Sequence, residues 1–94
     1  MVNESTIFET APIRLRVIRE VLEIKQLTFA KFLNVCVQTL RKWENIDFAF
    51  NNKYRERFRY VGINAQWLEY GTGSPFRYDI ATVRNKILFS VKHG

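Results

Sequence analysis

The chain has 94 residues, 47% of them hydrophobic, and a formal net charge of +6. That length gives one small domain with short tails, and the apolar share suffices for a single core without metal or disulfide support. One cysteine excludes an internal bridge, and the lack of a leader or long apolar run points to a cytoplasmic protein with no membrane partner.

The positive balance favours a polyanionic partner, nucleic acid above all. Residues 1–10 carry Glu4 and Glu9 but no basic residue, and read as a loosely held arm anchored only by Ile7 and Phe8. Thr10 or Ala11 opens the first helix, where Pro12 fits the first turn because the N–H it lacks has no partner there. This helix runs to about Glu23. Leu15, Ile18 and Leu22 form its core stripe, while Ile13, Val17 and Val21 form a second stripe that needs cover from another element. Arg14 and Arg16 read as a solvated basic face.

The stretch from Ile24 to Asn45 is the organising element. Phe29, Ala30 and Leu33 give an apolar stripe of helical period just after Gln26, and the small Ala30 lets a following helix cross closely. Asn34 supplies the corner, because asparagine visits the left-handed region at low cost. A second helix begins near Cys36 or Val37 and buries Leu40, Trp43 and the stem of Glu44. Val37, Gln38, Arg41, Lys42 and Asn45 are left on its opposite face. Two short helices joined at a sharp corner make a helix-turn-helix, and the amide, guanidinium and ammonium groups of the second can donate to base edges and phosphates. Gln26, beside a helix start, suits a phosphate and a neighbouring side chain on the second helix. Cys36 reads as a buried or half-buried structural thiol.

Residues 46–52, with Phe48 and Phe50, read as loop. Asn51 or Asn52 caps a helix over 53–60 whose core stripe is Tyr54, Phe58 and Val61, with Arg55, Arg57 and Arg59 pointing away. Gly62 ends it and Asn64 caps a short helix to Tyr70. Gly71 to Pro75 is punctuation; it lacks the Lys-Ser/Thr of a phosphate-binding loop and marks a domain boundary. Asp79 then caps a last amphipathic helix through Ile80, Val83, Ile87, Leu88 and Val91, although Ile87, Phe89 and Val91 alternate as a strand would. Such a helix is marginal alone and must dock on Ile13, Val17 and Val21, or on a second copy.

The spacing of Arg14-Leu15, Arg19, Ile24, Gln26, Phe29-Ala30, Leu33-Asn34-Val35, Leu40 and Trp43-Glu44 resembles the Cro and phage-repressor (XRE-like) family of DNA-binding domains. The likeness extends through Val61-Gly62-Ile63-Asn64 and Trp67-Leu68-Glu69-Tyr70-Gly71. Lys25 and Cys36 stand where the family carries Ser/Thr caps, Glu23 and Asn34 where it carries glycines, and Ile46 where glycine follows the Trp-Glu pair. These departures touch the caps, not the core, so the fold is expected with a stiffer or shifted corner. The resemblance implies an all-α, compact five-helix domain over 11–75, with 76–94 as an additional dimerising or covering segment. It places Trp43 and Trp67 at packing positions, and it pairs Arg19 with Glu44 near the DNA backbone.

The expected DNA contacts are Arg19, Lys25, Gln26, Val37, Gln38, Thr39, Arg41, Lys42 and Asn45. The expected function is sequence-specific transcriptional regulation, repressor-like, by a homodimer on double-stranded DNA. The rivals are an antitoxin of the same fold that also holds a protein toxin, and a protein-interaction adaptor. One histidine, one cysteine and scattered carboxylates do not assemble catalytic machinery, and no cofactor or metal is called for.

Overall fold

The computed structural model describes residues 10–93; the acidic arm expected at the N-terminus lies, except for Thr10, outside them. Six helices occupy these residues: α1 Ala11–Val21, α2 Gln26–Leu33, α3 Val37–Asn45, α4 Asn52–Val61, α5 Ala65–Tyr70 and α6 Ile80–His93. The described residues contain no strand, only one isolated antiparallel bridge between Ile63 and Phe76. The domain is therefore all-α, and the alternation near Ile87 belongs to a helix.

Local chemistry accounts for the helix limits. Thr10 accepts from Ile13 N–H at the start of α1, Asn51 from Tyr54 N–H at α4, Asn64 from Gln66 N–H at α5, and Asp79 from Thr82 N–H at α6. Three helices end in the same way. The N–H groups of Ile24, Val35 and Ile63 reach back to the carbonyls of Arg19, Ala30 and Phe58, and the residue before each lies in the left-handed region. This is the Schellman closure. Its left-handed residue is Glu23 (φ 56°), Asn34 (φ 60°) and Gly62 (φ 95°) in turn. The first of these shortens α1, which ends at Val21 and not at Glu23.

The core takes Leu15, Ile18 and Leu22 from α1, Phe29, Ala30 and Leu33 from α2, and Leu40 and Trp43 from α3. Complete burial of a Leu, Ile or Phe side chain is worth roughly 1.5–3 kcal/mol. Phe58 and Val61 of α4, Leu68 of α5, and Val83 and Ile87 of α6 close it from the other side. The 46–51 stretch is irregular, as expected, yet it contributes to the core. Phe48 is buried, with its ring centroid 5.0 Å from that of Trp43 and 4.1 Å from that of Phe50.

Two expectations about the surface need correction. The last helix docks on α2 and α4, not on the second stripe of α1, and Val21 stays 44% exposed. Val83 and Ile87 are fully buried in the core that also holds Phe29 and Phe32 of α2 and Phe58 of α4, whose rings pack together. Most of the arginines expected to face water are structural. Arg14 is 3% exposed and donates from Nε to Leu68 O (2.8 Å) and from Nη2 to Glu69 O (2.9 Å). Arg57 Nη1 donates to Phe32 O at 2.8 Å, and Arg84 Nε to Leu22 O at 3.1 Å. Each guanidinium thus meets carbonyls at the end of a neighbouring helix, where the helix dipole is negative and the groups lack helical partners. Arg55 pairs with Glu69, and only Arg16 and Arg59 keep the exposed positions expected of them.

Candidate nucleic-acid interface

The α3 helix divides cleanly. Leu40, Trp43 and Glu44 are buried, while Gln38, Arg41, Lys42 and Asn45 are exposed on the opposite side. Val37 and Thr39 are half-buried at the start of that face. The inward side is held by hydrophobic contact with α1 and α2, so the outward row sits on a rigid support.

A polar chain ties this row to α1 and α2. Arg19 grips the buried carboxylate of Glu44 with Nε on Oε2 (2.7 Å) and Nη2 on Oε1 (3.1 Å), and its Nη1 donates to Ile24 O at 2.9 Å. Gln26 Nε2 donates to the same Glu44 Oε1 at 3.1 Å, and Gln26 Oε1 accepts from Arg41 Nε at 3.3 Å. The two ends of the Gln26 amide are therefore oriented by charge: its NH2 faces a carboxylate and its oxygen faces a guanidinium. Asn45 Nδ2 adds a bond to Arg41 O at 2.7 Å. Arg41 donates to Gln26 through Nε, and its side chain is exposed.

Neither α2 nor α3 receives a side-chain hydrogen bond at its N-cap, which is Lys25 in one and Cys36 in the other. Uncapped first-turn N–H groups at a helix start favour an anion. Lys25 is exposed and adds positive charge at the start of α2. Cys36 departs from expectation, being exposed rather than buried, because the N-cap position lies outside the packed side of α3. Its Sγ lies 3.1 Å from Thr39 Oγ1, and hydrogen bonding with Thr39 pulls the thiol below its ordinary value.

The expected contacts thus fall into two groups. Lys25, Gln38, Arg41, Lys42 and Asn45 present exposed polar groups, with Val37 and Thr39 at their margin. Arg19 and Gln26 are half-buried and bonded to the buried carboxylate of Glu44. Sequence spacing carried the Arg19–Glu44 pair only through family likeness. The link from Gln26 to Arg41 spans 15 residues and two helices, and nothing in the helical periodicity signals it.

A second concavity lies at the other end of α2. A groove of about 770 Å³ runs between the end of α2, the outer side of α4 and the end of α6, with Lys31, Arg57 and Arg59 along it against the single acid Glu56. Among the described residues no cluster of three or more His, Cys, Asp or Glu could hold a metal ion, and no helix is long and apolar enough to cross a membrane. No protein-family model, curated protein or solved structure matches this chain.

Proposed function

We propose that this chain is a sequence-specific DNA-binding regulator of the repressor-like kind, with α3 as the helix that enters the major groove. The observation that carries this reading is the exposed row of Gln38, Arg41, Lys42 and Asn45, braced from behind by Arg19, Glu44 and Gln26. Base reading needs donors and acceptors held in register, and an amide next to a guanidinium on a fixed helix supplies both. Glutamine pairs two-pronged with adenine, and arginine with guanine. The uncapped starts of α2 and α3, with Lys25 beside one of them, suit the flanking phosphates. One helix of nine residues reads few base pairs, so the protein acts as a dimer on a two-fold related site.

Selection of bound duplexes from a random pool tests the reading. A palindromic motif is the expected result, with affinity for random duplex falling steeply as salt rises because phosphate contacts release counterions. A pool that returns no enriched motif, with a flat salt response, overturns it.

A protein-binding reading, as antitoxin or adaptor, is favoured by one observation: Tyr60, Tyr78 and Phe89 are all more than half exposed around Lys86 on the side formed by α4 and α6. Large exposed aromatic groups are enriched where partner proteins dock. This surface is separate from the α3 row, so both readings can hold for one molecule.

A further inference from the structure

The groove beside Lys31 and Arg59 does not stand alone. Tyr60 lines it and also lines a second hollow bounded by Thr82, Asn85, Lys86 and Phe89, so the two join into one band along α4 and α6. Helical spacing explains the α6 half: Val83 and Ile87 turn into the core, which leaves Thr82, Asn85, Lys86 and Phe89 on the outer side at i, i+3, i+4 and i+7. Tyr60 is 70% exposed and Phe89 63%, although both stand on helices that pack together. Charge along the band is one-sided. The α6 helix carries Arg84, Lys86 and Lys92 but no carboxylate, and in α4 the single acid Glu56 stands among Lys53, Arg55, Arg57 and Arg59. Arg55, Arg57 and Arg84 are engaged by Glu69 and by helix-end carbonyls, whereas Lys31, Arg59 and Lys86 are exposed. The contact from Arg59 to Glu56 is open to water on both sides and offsets little. Lys86 Nζ lies 6.0 Å from the ring centre of Tyr60 and 5.5 Å from that of Tyr78, so cation and aromatic surface are presented together.

We propose that this band docks an acidic amphipathic helix of a partner protein, whose apolar side chains lie against Tyr60 and Phe89 while its carboxylates face Lys31, Arg59 and Lys86. The inference rests on the protein-binding reading above and gives the partner its chemistry. Charge selects that partner. A second copy related by a two-fold axis would set these same cations against one another, and like charges across an interface cost affinity. Backbone chemistry selects the helix. The described residues hold no strand whose edge could pair with an extended segment, whereas a helix satisfies its own N–H and C=O groups and presents apolar anchors at i, i+3, i+4 and i+7.

The probe is a synthetic helical peptide of about 14 residues, roughly 20 Å long, with leucine at the anchor positions and glutamate elsewhere. Its control carries glutamine in place of each glutamate. Added to the full isotope-labelled chain, the glutamate peptide should shift the amides of Lys31, Tyr60, Lys86 and Phe89 and leave those of Gln38 and Lys42 in place. Lys31→Glu with Lys86→Glu should weaken its binding by roughly tenfold or more, and Phe89→Ala by a similar factor. All three side chains are exposed, and unchanged amide signals elsewhere establish the fold of each variant. Equal binding of the glutamine peptide at the same amides overturns the acidic partner but leaves the protein-binding reading. Failure of both peptides to bind overturns both. Shifts centred on α3 also overturn the proposal, since the peptide would then act as a generic polyanion. Vesicles of anionic lipid that shift the amides of the band where the glutamate peptide does not would make it a membrane-facing surface, and the proposal falls.

Discussion

Arg19 and Glu44 stand 25 residues apart in sequence and meet as a two-pronged pair, with the carboxylate almost wholly buried beneath α3. The geometry is good, and Gln26 supplies a further bond to the carboxylate, so the desolvation of the pair is compensated. Removing one member leaves the other charge without that compensation. Glu44→Ala should therefore destabilise the domain by about 3–5 kcal/mol, and Glu44→Gln by less because its amide keeps part of the hydrogen bonding. Urea unfolding of the two variants checks this, and equal losses would show that charge is irrelevant at the site.

The guanidinium of Arg14 lies in the interior, where burial lowers its pKa from the ordinary value, and it satisfies two carbonyls at the end of α5. Arg14→Met keeps most of the volume and loses those bonds. The expected cost is about 2–3 kcal/mol, against less than about 0.5 kcal/mol for Arg16→Met, whose side chain is mostly in water. A comparable fall in denaturation midpoint for both would remove Arg14 from its structural role.

Glu23 sits at φ 56°, where a side chain beyond the α carbon costs energy that glycine avoids. Glu23→Gly should raise stability by up to about 1 kcal/mol, net of the extra chain entropy glycine loses on folding. Asn34→Gly should change little, because asparagine already tolerates that region. Midpoints of chemical unfolding decide it; a loss at Glu23→Gly would mean that the glutamate makes a contribution its exposed position does not reveal.

These residues also show how far sequence reading reaches. Helix starts were legible because Thr10, Asn51, Asn64 and Asp79 are chemically obvious caps, and the Asn34 corner was legible because few residues adopt its backbone. The buried face of α3 followed from periodicity alone. The destinations of Arg14, Arg57 and Arg84 did not, since each depends on where another helix ends in space, between 25 and 62 residues away. For the same reason the surface on which α6 docks is not legible in the sequence. Periodicity identifies an apolar face but not the one it meets. Of the candidate site, the outward row was readable, whereas the brace through Gln26 required the fold.

The start of α6 depends on pH. Asp79 accepts from Thr82 N–H at 2.8 Å, and that hydrogen bond holds its carboxyl below the ordinary value. Because the folded pKa is depressed, the folded state binds this proton less readily than the unfolded chain. The stabilisation is then complete above the unfolded value and fades as pH falls through the lowered folded one. Asp79→Asn keeps an N-cap acceptor without a titrating group. The difference in Tm between wild type and Asp79→Asn should favour wild type near neutrality and shift toward the variant in acid; a constant difference counts against the cap.

The last prediction separates base reading from positioning on the α3 row. Gln38 is exposed near the start of the helix and makes no hydrogen bond to the brace among the described residues, whereas Gln26 is bonded to both Arg41 and Glu44. Gln38→Ala should remove about 1–3 kcal/mol of preference at one base pair per half-site while leaving binding to random duplex nearly intact. Gln26→Ala has a wider effect. Loss of its amide oxygen frees the guanidinium of Arg41, and loss of its NH2 takes one donor from Glu44, so discrimination at the base that Arg41 reads should fall together with the phosphate-driven affinity. Competition assays with single-base variants of the selected site distinguish the two patterns. If Gln38→Ala lowers specific and random binding equally, that residue does not read bases. If Gln26→Ala leaves discrimination at every position untouched, the brace does not orient Arg41 for recognition.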